Sequence, residues 1–341
     1  MKSDRLLFVD GLRGIAALAV VFYHLVGRTD IGWLSAYGYL GVATFFVLSG
    51  YVIAMVVGTN KITLGFLGRF AARRSLRLDP PYWLSIATII ALMSVARRIG
   101  VDKDFPSLST ILLHLLYLQD LLGVPALSSV YWTLCLEIQF YLVLILLLAS
   151  PWPTALVCVL LGWSLLEHSN VVSVAPRGLF VHYWLGFAAG ALTYWTIVGR
   201  LRSRYLHVAL AMILIFSFGR NGAWCFTTVM TAGALYMASR LDRMGIWLSG
   251  GTMQGLGRIS YSLYLFHPII GWSAQSFALR HMNQWGALFV GLVASLLSAW
   301  LAYLLVEKPS IKLSHWVSLR SASESTGHAG EPKQMTTPAS N

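Results

Sequence analysis

The chain has 341 residues, of which 57% are hydrophobic and only 11% charged, against roughly 25% charged in ordinary soluble domains. That composition excludes a water-soluble globular fold and points to lipid, where backbone groups must be satisfied inside helices or closed barrels; the apolar runs are too long and uniform for the alternating strands of a barrel. The net charge of +12 would suggest nucleic acid in a soluble protein, but here the positive-inside rule accounts for it and no nucleic-acid partner is expected.

The expected fold is all-α: a polytopic integral membrane bundle of about ten transmembrane helices. In chain order the spans are expected at Leu12–Val26, Gly38–Val57, Tyr82–Val95, Tyr131–Ser150, Thr154–Leu166, Leu179–Ile197, Tyr205–Phe218, Ala223–Ser239, Leu256–Trp272 and Trp285–Val306. Lys2 and Arg5 precede the first of these, but Asp10 and Arg13 interrupt the apolar stretch that a cleaved signal peptide needs, so the first helix is retained. Ten spans with a cytoplasmic N-terminus put 18 of 25 basic residues on the inner side, which fixes both termini in the cytoplasm. Ile111–Leu122, carrying His114 and Asp120, then reads as an interfacial or re-entrant helix on the outer side. Residues 1–312 form the transmembrane domain, and 313–341, rich towards its end in Ser, Thr, Gly and Pro, a disordered cytoplasmic tail. Cys135, Cys158 and Cys225 each sit in an apolar run without metal spacing, which favours packing and no metal site.

The candidate chemistry begins on the first helix. Arg13 and His24 are 11 residues apart, three turns, so they share a face about 16 Å apart along the axis. Ionisable groups inside a bilayer are costly and mark functional sites by default. His24 is a candidate general base, because histidine titrates near neutrality and can take a proton from a hydroxyl. Its bland alternative is a structural hydrogen bond to a neighbouring helix.

Arg69, Arg73 and Arg77 recur every four residues, with Arg74 beside them, in a helix expected to end at Asp79-Pro80-Pro81. Such a stripe is either an anchor for lipid phosphates or a site for a phosphate-bearing cytoplasmic ligand, to which Arg13 would add a third guanidinium beside Arg74 and Arg77. Glu137 is the acidic residue of a long apolar helix, with Tyr141 one turn on. A carboxylate there must be paired, protonated or functional, and pairing with His24 would orient the imidazole. His267, at i+3 from Tyr264, and Glu307, which closes the last helix before Pro309, read more readily as structural. The glycine cluster at Ser249–Gly257 admits a ligand close to backbone but is weak evidence alone.

Taken together, these stretches resemble the membrane-bound acyltransferase 3 family of bacterial O-acyltransferases. The resemblance rests on Leu12-Arg-Gly-Ile-Ala-Ala followed by His24, Gly38-Tyr-Leu-Gly-Val-Ala-Thr-Phe-Phe-Val-Leu-Ser-Gly50, and Arg74-Ser-Leu-Arg77 followed by Pro80-Pro-Tyr-Trp83. Trp132-Thr-Leu with Glu137 and Phe140-Tyr141, Ile259-Ser-Tyr-Ser-Leu-Tyr-Leu with His267, and Val306-Glu-Lys-Pro309 complete it in family order. Ile138 stands where many members carry a second acidic residue, and the frequent soluble C-terminal hydrolase-like domain has no counterpart here. What the resemblance implies is transfer of an acyl group, most commonly acetyl from cytoplasmic acetyl-CoA, to a hydroxyl of an extracytoplasmic glycan such as an exopolysaccharide or lipopolysaccharide, or of a lipid-linked saccharide, at the bacterial inner membrane. Arg13, Arg74 and Arg77 would then hold the CoA phosphates, His24 assisted by Glu137 would act on the hydroxyl, and Tyr141 and His267 would face substrate. The competing class is a transporter in which Arg13, His24 and Glu137 relay a proton or anion, against which the lack of an evident inverted repeat counts. A non-catalytic partner of a glycan export assembly leaves the polar residues unexplained.

Overall fold

A computed structural model describes residues 6–58, 62–100, 105–168, 175–176, 178–215 and 222–319 of the protein. The basic residues Lys2, Arg5, Lys61, Lys103, Arg320 and Lys333, and the tail beyond 319, lie outside the described residues. Thirteen α-helices follow one another with no strand among the described residues. They are α1 Leu7–Val26, α2 Gly41–Gly58, α3 Leu64–Arg98, α4 Leu108–Leu115, α5 Tyr131–Ala149, α6 Pro153–His168, α7 Trp184–Ile197, α8 Ser203–Ile215, α9 Gly222–Arg240, α10 Gly251–Phe266, α11 Trp272–Ala278, α12 Gln284–Ala302 and α13 Lys308–Ser314. Each expected span overlaps one of these helices, although Leu256–Trp272 runs from α10 through a π turn into α11 and the end of Tyr205–Phe218 lies outside the described residues. Five stretches, Leu7–Val26, Gly38–Gly58, Leu64–Arg98, Tyr131–Ala149 and Gln284–Ser314, are long and apolar enough to cross a membrane. The segment around Ile111 forms only the eight-residue α4, too short to cross, and buried His114 fastens it by accepting the Leu127 N–H at 3.0 Å.

One boundary departs from the sequence reading. The helix expected to stop at Asp79-Pro80-Pro81 runs on, and α3 is a single 35-residue helix with both prolines inside it. Prolines remove backbone donors and push the chain away from ideal register, but in a helical membrane protein neighbouring side chains re-satisfy the disturbed turn. Beside the prolines, the Tyr261 hydroxyl donates to the Leu78 carbonyl at 2.9 Å and ties α10 to this turn. The Asp79 carboxylate accepts from Tyr117 at 2.8 Å and from Ser75 one turn back. At about 1.5 Å per residue, α3 is longer than a bilayer core is thick, so the cationic stripe and the apolar span share one rigid rod.

Lipid supplies no hydrophobic drive between helices, so their association depends on close approach at small residues. Two crossings show it. Along α2 and α7, a Cβ added at Gly50 would lie 1.9 Å from the Phe187 carbonyl oxygen, and one added at Gly190 would lie 1.9 Å from that of Val47. Along α1 and α10, a Cβ at Gly257 would lie 2.3 Å from the Asp10 carbonyl oxygen, and one at Gly14 would lie 2.8 Å from the Gly257 nitrogen. The glycine cluster noticed in the sequence thus contributes Gly257 to packing. The Gln254 amide locks the same crossing by donating to the Leu7 and Leu248 carbonyls, each at 2.8 Å. Of the cysteines, Cys135 and Cys225 are buried as expected, whereas Cys158 faces outward from α6.

Replacing Gly190 by Val is expected to destabilise the bundle by about 3 kcal/mol through overpacking. The same change at Gly233, where a Cβ meets nothing within 4 Å, should be close to neutral. Thermal midpoints in detergent test this, and equal midpoints would remove the role assigned to the α2–α7 approach.

Candidate active site

The α1–α10 crossing carries the site at both of its ends. Near the N-terminal end of α1, Arg13 faces a cavity in the interior of the bundle, together with Arg74 and Arg77 of α3 and Glu137 of α5. The three guanidinium groups predicted to act together are therefore brought to one place. Spacing on α3 explains half of it: Arg74 and Arg77, three residues apart, lie on the same face. Among the described residues the ion pairs are Arg74–Glu137 at 3.0 Å and His182–Glu167. No carboxylate among the described residues therefore lies within 4 Å of Arg13 or Arg77.

Glu137 accepts from Arg74 at 3.0 Å and from Ser49 of α2 at 3.3 Å. The pairing of Glu137 with His24 expected from the sequence is not the one found. Period and composition show that a carboxylate inside an apolar helix needs a partner, but not which neighbouring helix supplies it. Tyr141 takes part in the same arrangement: the Arg74 guanidinium lies 4.2 Å from its ring centroid, a cation–π contact. Arg74 is thus fixed from two sides by α5. Glu307, set aside in the sequence as structural, is buried on the same side of the bundle. It accepts from the Ser262 backbone at 3.2 Å and hydroxyl at 2.5 Å, and it lies within electrostatic reach of Arg13 and Arg77. The signal that could have found it is the one applied to Glu137, an acidic residue at the edge of an apolar run.

The interior cavity encloses only about 60 Å³, room for a few waters. Arg74 and Arg77 also line a second cavity of about 310 Å³, bounded by Phe70, Arg73, Ser314 and His315. The two guanidiniums are thus a wall shared by a wide vestibule and a narrow interior cavity. At the vestibule, Arg73 donates to His315 Nδ1 at 3.0 Å. Partial burial, with the positive charges of Arg73 and Arg77, holds the His315 imidazole below its ordinary pKa, so it is neutral and able to accept that bond.

At the other end of α1, His24 is half-buried and His267 is fully buried. Their rings are joined, His24 Nδ1 to His267 Nε2, at 3.0 Å. His24 Nδ1 also lies 3.0 Å from the Val20 carbonyl oxygen, and Trp272 packs edge-on against the ring with centroids 5.4 Å apart. His24 does not line the arginine cavity. Between them stands Tyr264, which lines that cavity, bonds Thr133 at 2.9 Å and has its ring 6.2 Å from that of His267.

A family model described as "Acyltransferase domain" matches residues 6–304, which takes in Arg13, His24, Arg74, Arg77, Glu137, Tyr264 and His267, and the chain belongs to that acyltransferase family. Over 88% of its length it is 27% identical to the peptidoglycan O-acetyltransferase OatA of Listeria monocytogenes, of which the alignment covers 55%. It is 24% identical to the O-acetyltransferase OatA of Staphylococcus aureus, over 88% of this chain and 56% of the relative. Against Nodulation protein 10 of Rhizobium leguminosarum the identity is 24%, over 89% of this chain and 93% of that protein. The chain spans about half the length of the two OatA relatives. No solved structure matches.

Exchanging Glu137 for Gln keeps the shape but removes the charge that partners Arg74. With both side chains about one-fifth exposed, the expected loss of stability is about 1–3 kcal/mol, read as a lower thermal midpoint in detergent. An unchanged midpoint would show that the pair adds nothing to stability.

Proposed function

We propose that this chain is an O-acetyltransferase of the bacterial inner membrane, crossing it ten times with both termini in the cytoplasm. In this reading an acyl group, acetyl first among the candidates, moves from cytoplasmic acyl-CoA to a hydroxyl of an extracytoplasmic glycan or lipid-linked saccharide. The observation that carries it is the convergence of Arg13, Arg74 and Arg77 on one cavity, with the His24 imidazole three turns further along the helix that holds Arg13. Two of those cations have no carboxylate within 4 Å among the described residues. A buried surplus of positive charge calls for an anion, and guanidinium forks fit phosphate oxygens. The name of the Listeria relative, a peptidoglycan O-acetyltransferase, supports a cell-wall glycan as the kind of acceptor.

In the proposed mechanism the vestibule of Arg73, Arg74 and Arg77 receives the nucleotide phosphates, and Arg13 meets the anion from α1. Glu137 and Tyr141 hold Arg74 in position. The thioester arm must then extend past Tyr264, so the narrow interior has to widen when the donor enters. At the far end His24 takes the proton of the acceptor hydroxyl as its oxygen attacks the thioester carbonyl carbon. The C–O bond forms, the C–S bond breaks, and the imidazolium returns its proton to the departing CoA thiolate. Both substrates are held together, so no covalent enzyme intermediate is required.

His24→Ala is expected to lower acetyl transfer by about 10²–10⁴-fold while the protein still inserts and expresses. Near-normal acylation of surface glycan by that variant, measured by mass spectrometry, would overturn the assignment of the base. Arg74→Ala combined with Arg77→Ala should weaken acetyl-CoA binding roughly tenfold or more. Unchanged affinity by calorimetry in detergent would reduce both residues to a membrane anchor.

A further inference from the structure

We infer that His267 is a positioning residue that fixes His24 in one tautomer, with the proton on Nδ1 and the lone pair on Nε2. The inference rests on the base assigned to His24 above for its catalytic meaning, but the tautomer itself follows from four atoms.

His267 Nδ1 lies 2.9 Å from the Leu263 carbonyl oxygen. A carbonyl oxygen only accepts, so that nitrogen carries a proton. His24 Nδ1 lies 3.0 Å from the Val20 carbonyl oxygen, and the same rule puts a proton there. The two rings meet through His24 Nδ1 and His267 Nε2 at 3.0 Å. With a proton already on His24 Nδ1, His267 Nε2 must present its lone pair, and the Nδ1–H of His24 is shared between Val20 and His267. Both imidazoles are then neutral, and His24 Nε2 is left unprotonated. The opposite tautomer of His24 would turn its Nδ1 lone pair onto the Val20 carbonyl. The opposite tautomer of His267 would do the same against Leu263.

The backbone holds this arrangement in place. His267 opens a π turn, His267–Gly271, in which Pro268 supplies no N–H and the Trp272 N–H reaches back to the His267 carbonyl. The Gln275 amide donates to the Leu25 carbonyl at 2.9 Å, tying α11 to the residue after His24. When His24 Nε2 takes a proton, its Nδ1–H bond to His267 becomes charge-assisted and stronger. His267 thereby fills the place of the third group in a nucleophile–base–orienter chain, which the sequence had suggested for Glu137. It does so as a neutral acceptor, which spares the protein a second buried charge.

The test uses the full-length protein in nanodiscs, with ¹⁵N-labelled histidine, and two variants. His267→Phe keeps bulk and loses the acceptor; His267→Gln keeps an acceptor oxygen near the position of Nε2. The ¹⁵N spectrum of the unmodified protein is expected to show His24 protonated on Nδ1 and bare on Nε2, assigned by its loss in His24→Ala. His267→Phe should give a mixture of His24 tautomers and lower kcat roughly 100-fold, with KM for acetyl-CoA within twofold. His267→Gln should recover most of the activity and the single tautomer. A proton on His24 Nε2 in the unmodified protein, or an unchanged His24 spectrum in His267→Phe, overturns the proposal whatever the activities. If His24→Ala stays active while the tautomer behaves as stated, the failure belongs to the base assignment and not to the positioning of His24 by His267.

Discussion

The structure depends on the closeness of α1 to α10. With glycine at 14 and 257, two backbones meet at a distance that any side chain would forbid, and in lipid such contact replaces the hydrophobic drive that water would give. Everything ionisable on α1 is then referred to α10 and the elements behind it. At one end Arg13 comes within reach of Glu307, itself held by Ser262 of α10. At the other, His24 meets His267, just beyond the end of α10. A shift of either helix by one residue would rotate both pairs off their partners, so the crossing sets two registers at once.

A second constraint is how the bundle tolerates buried charge. Arg74 is neutralised by Glu137 and stacked on Tyr141, whereas Arg13 and Arg77 are compensated only at longer range. Fully paired arginines would be inert, and fully unpaired ones would be too costly to bury. One close pair and two open cations leave a surplus of positive charge, which in the proposed reading a polyanion would meet. Arg74 and Arg77 line both cavities, so in that reading the same groups would serve as entrance and anchor.

Much of this was legible in the chain. The 11-residue interval between Arg13 and His24 and the arginine ladder after Leu64 are helical periods, and helical period survives folding. So does the position of each apolar run, which is why the helices lie where hydropathy put them. What period cannot supply is the identity of the neighbouring helix: Glu137 was recognisable as a carboxylate in need of a partner, but its partner came from α3 and not α1. Pro80 and Pro81 misled for a different reason. Their cost is local, and the packing that carries α3 through them comes from elements far away in the chain, such as Tyr261, whose hydroxyl reaches the Leu78 carbonyl from 183 residues on. Glu307 was discounted because it closes a helix, a place where a charge is ordinarily solvated, yet the π turn at Tyr303–Glu307 turns it inward.

In the proposed reading, the division of labour along α1 follows from dielectric. Phosphate binding would need concentrated positive charge, and the cavity lined by Arg73, Arg74 and Arg77 is the wider of the two that Arg74 and Arg77 share. Proton transfer needs the reverse, a base whose lone pair is undisturbed by fixed charge until the substrate arrives. A carboxylate beside His24 would have to be buried as a permanent anion, whereas a second imidazole holds the ring through a neutral hydrogen bond and meets charge only when the base is protonated. Tyr264, between the arginine cavity and the histidine pair, keeps these two environments apart. The helix therefore does more than space two residues: in this reading it holds a cluster of arginines at one end and a neutral, hydrogen-bonded histidine pair at the other.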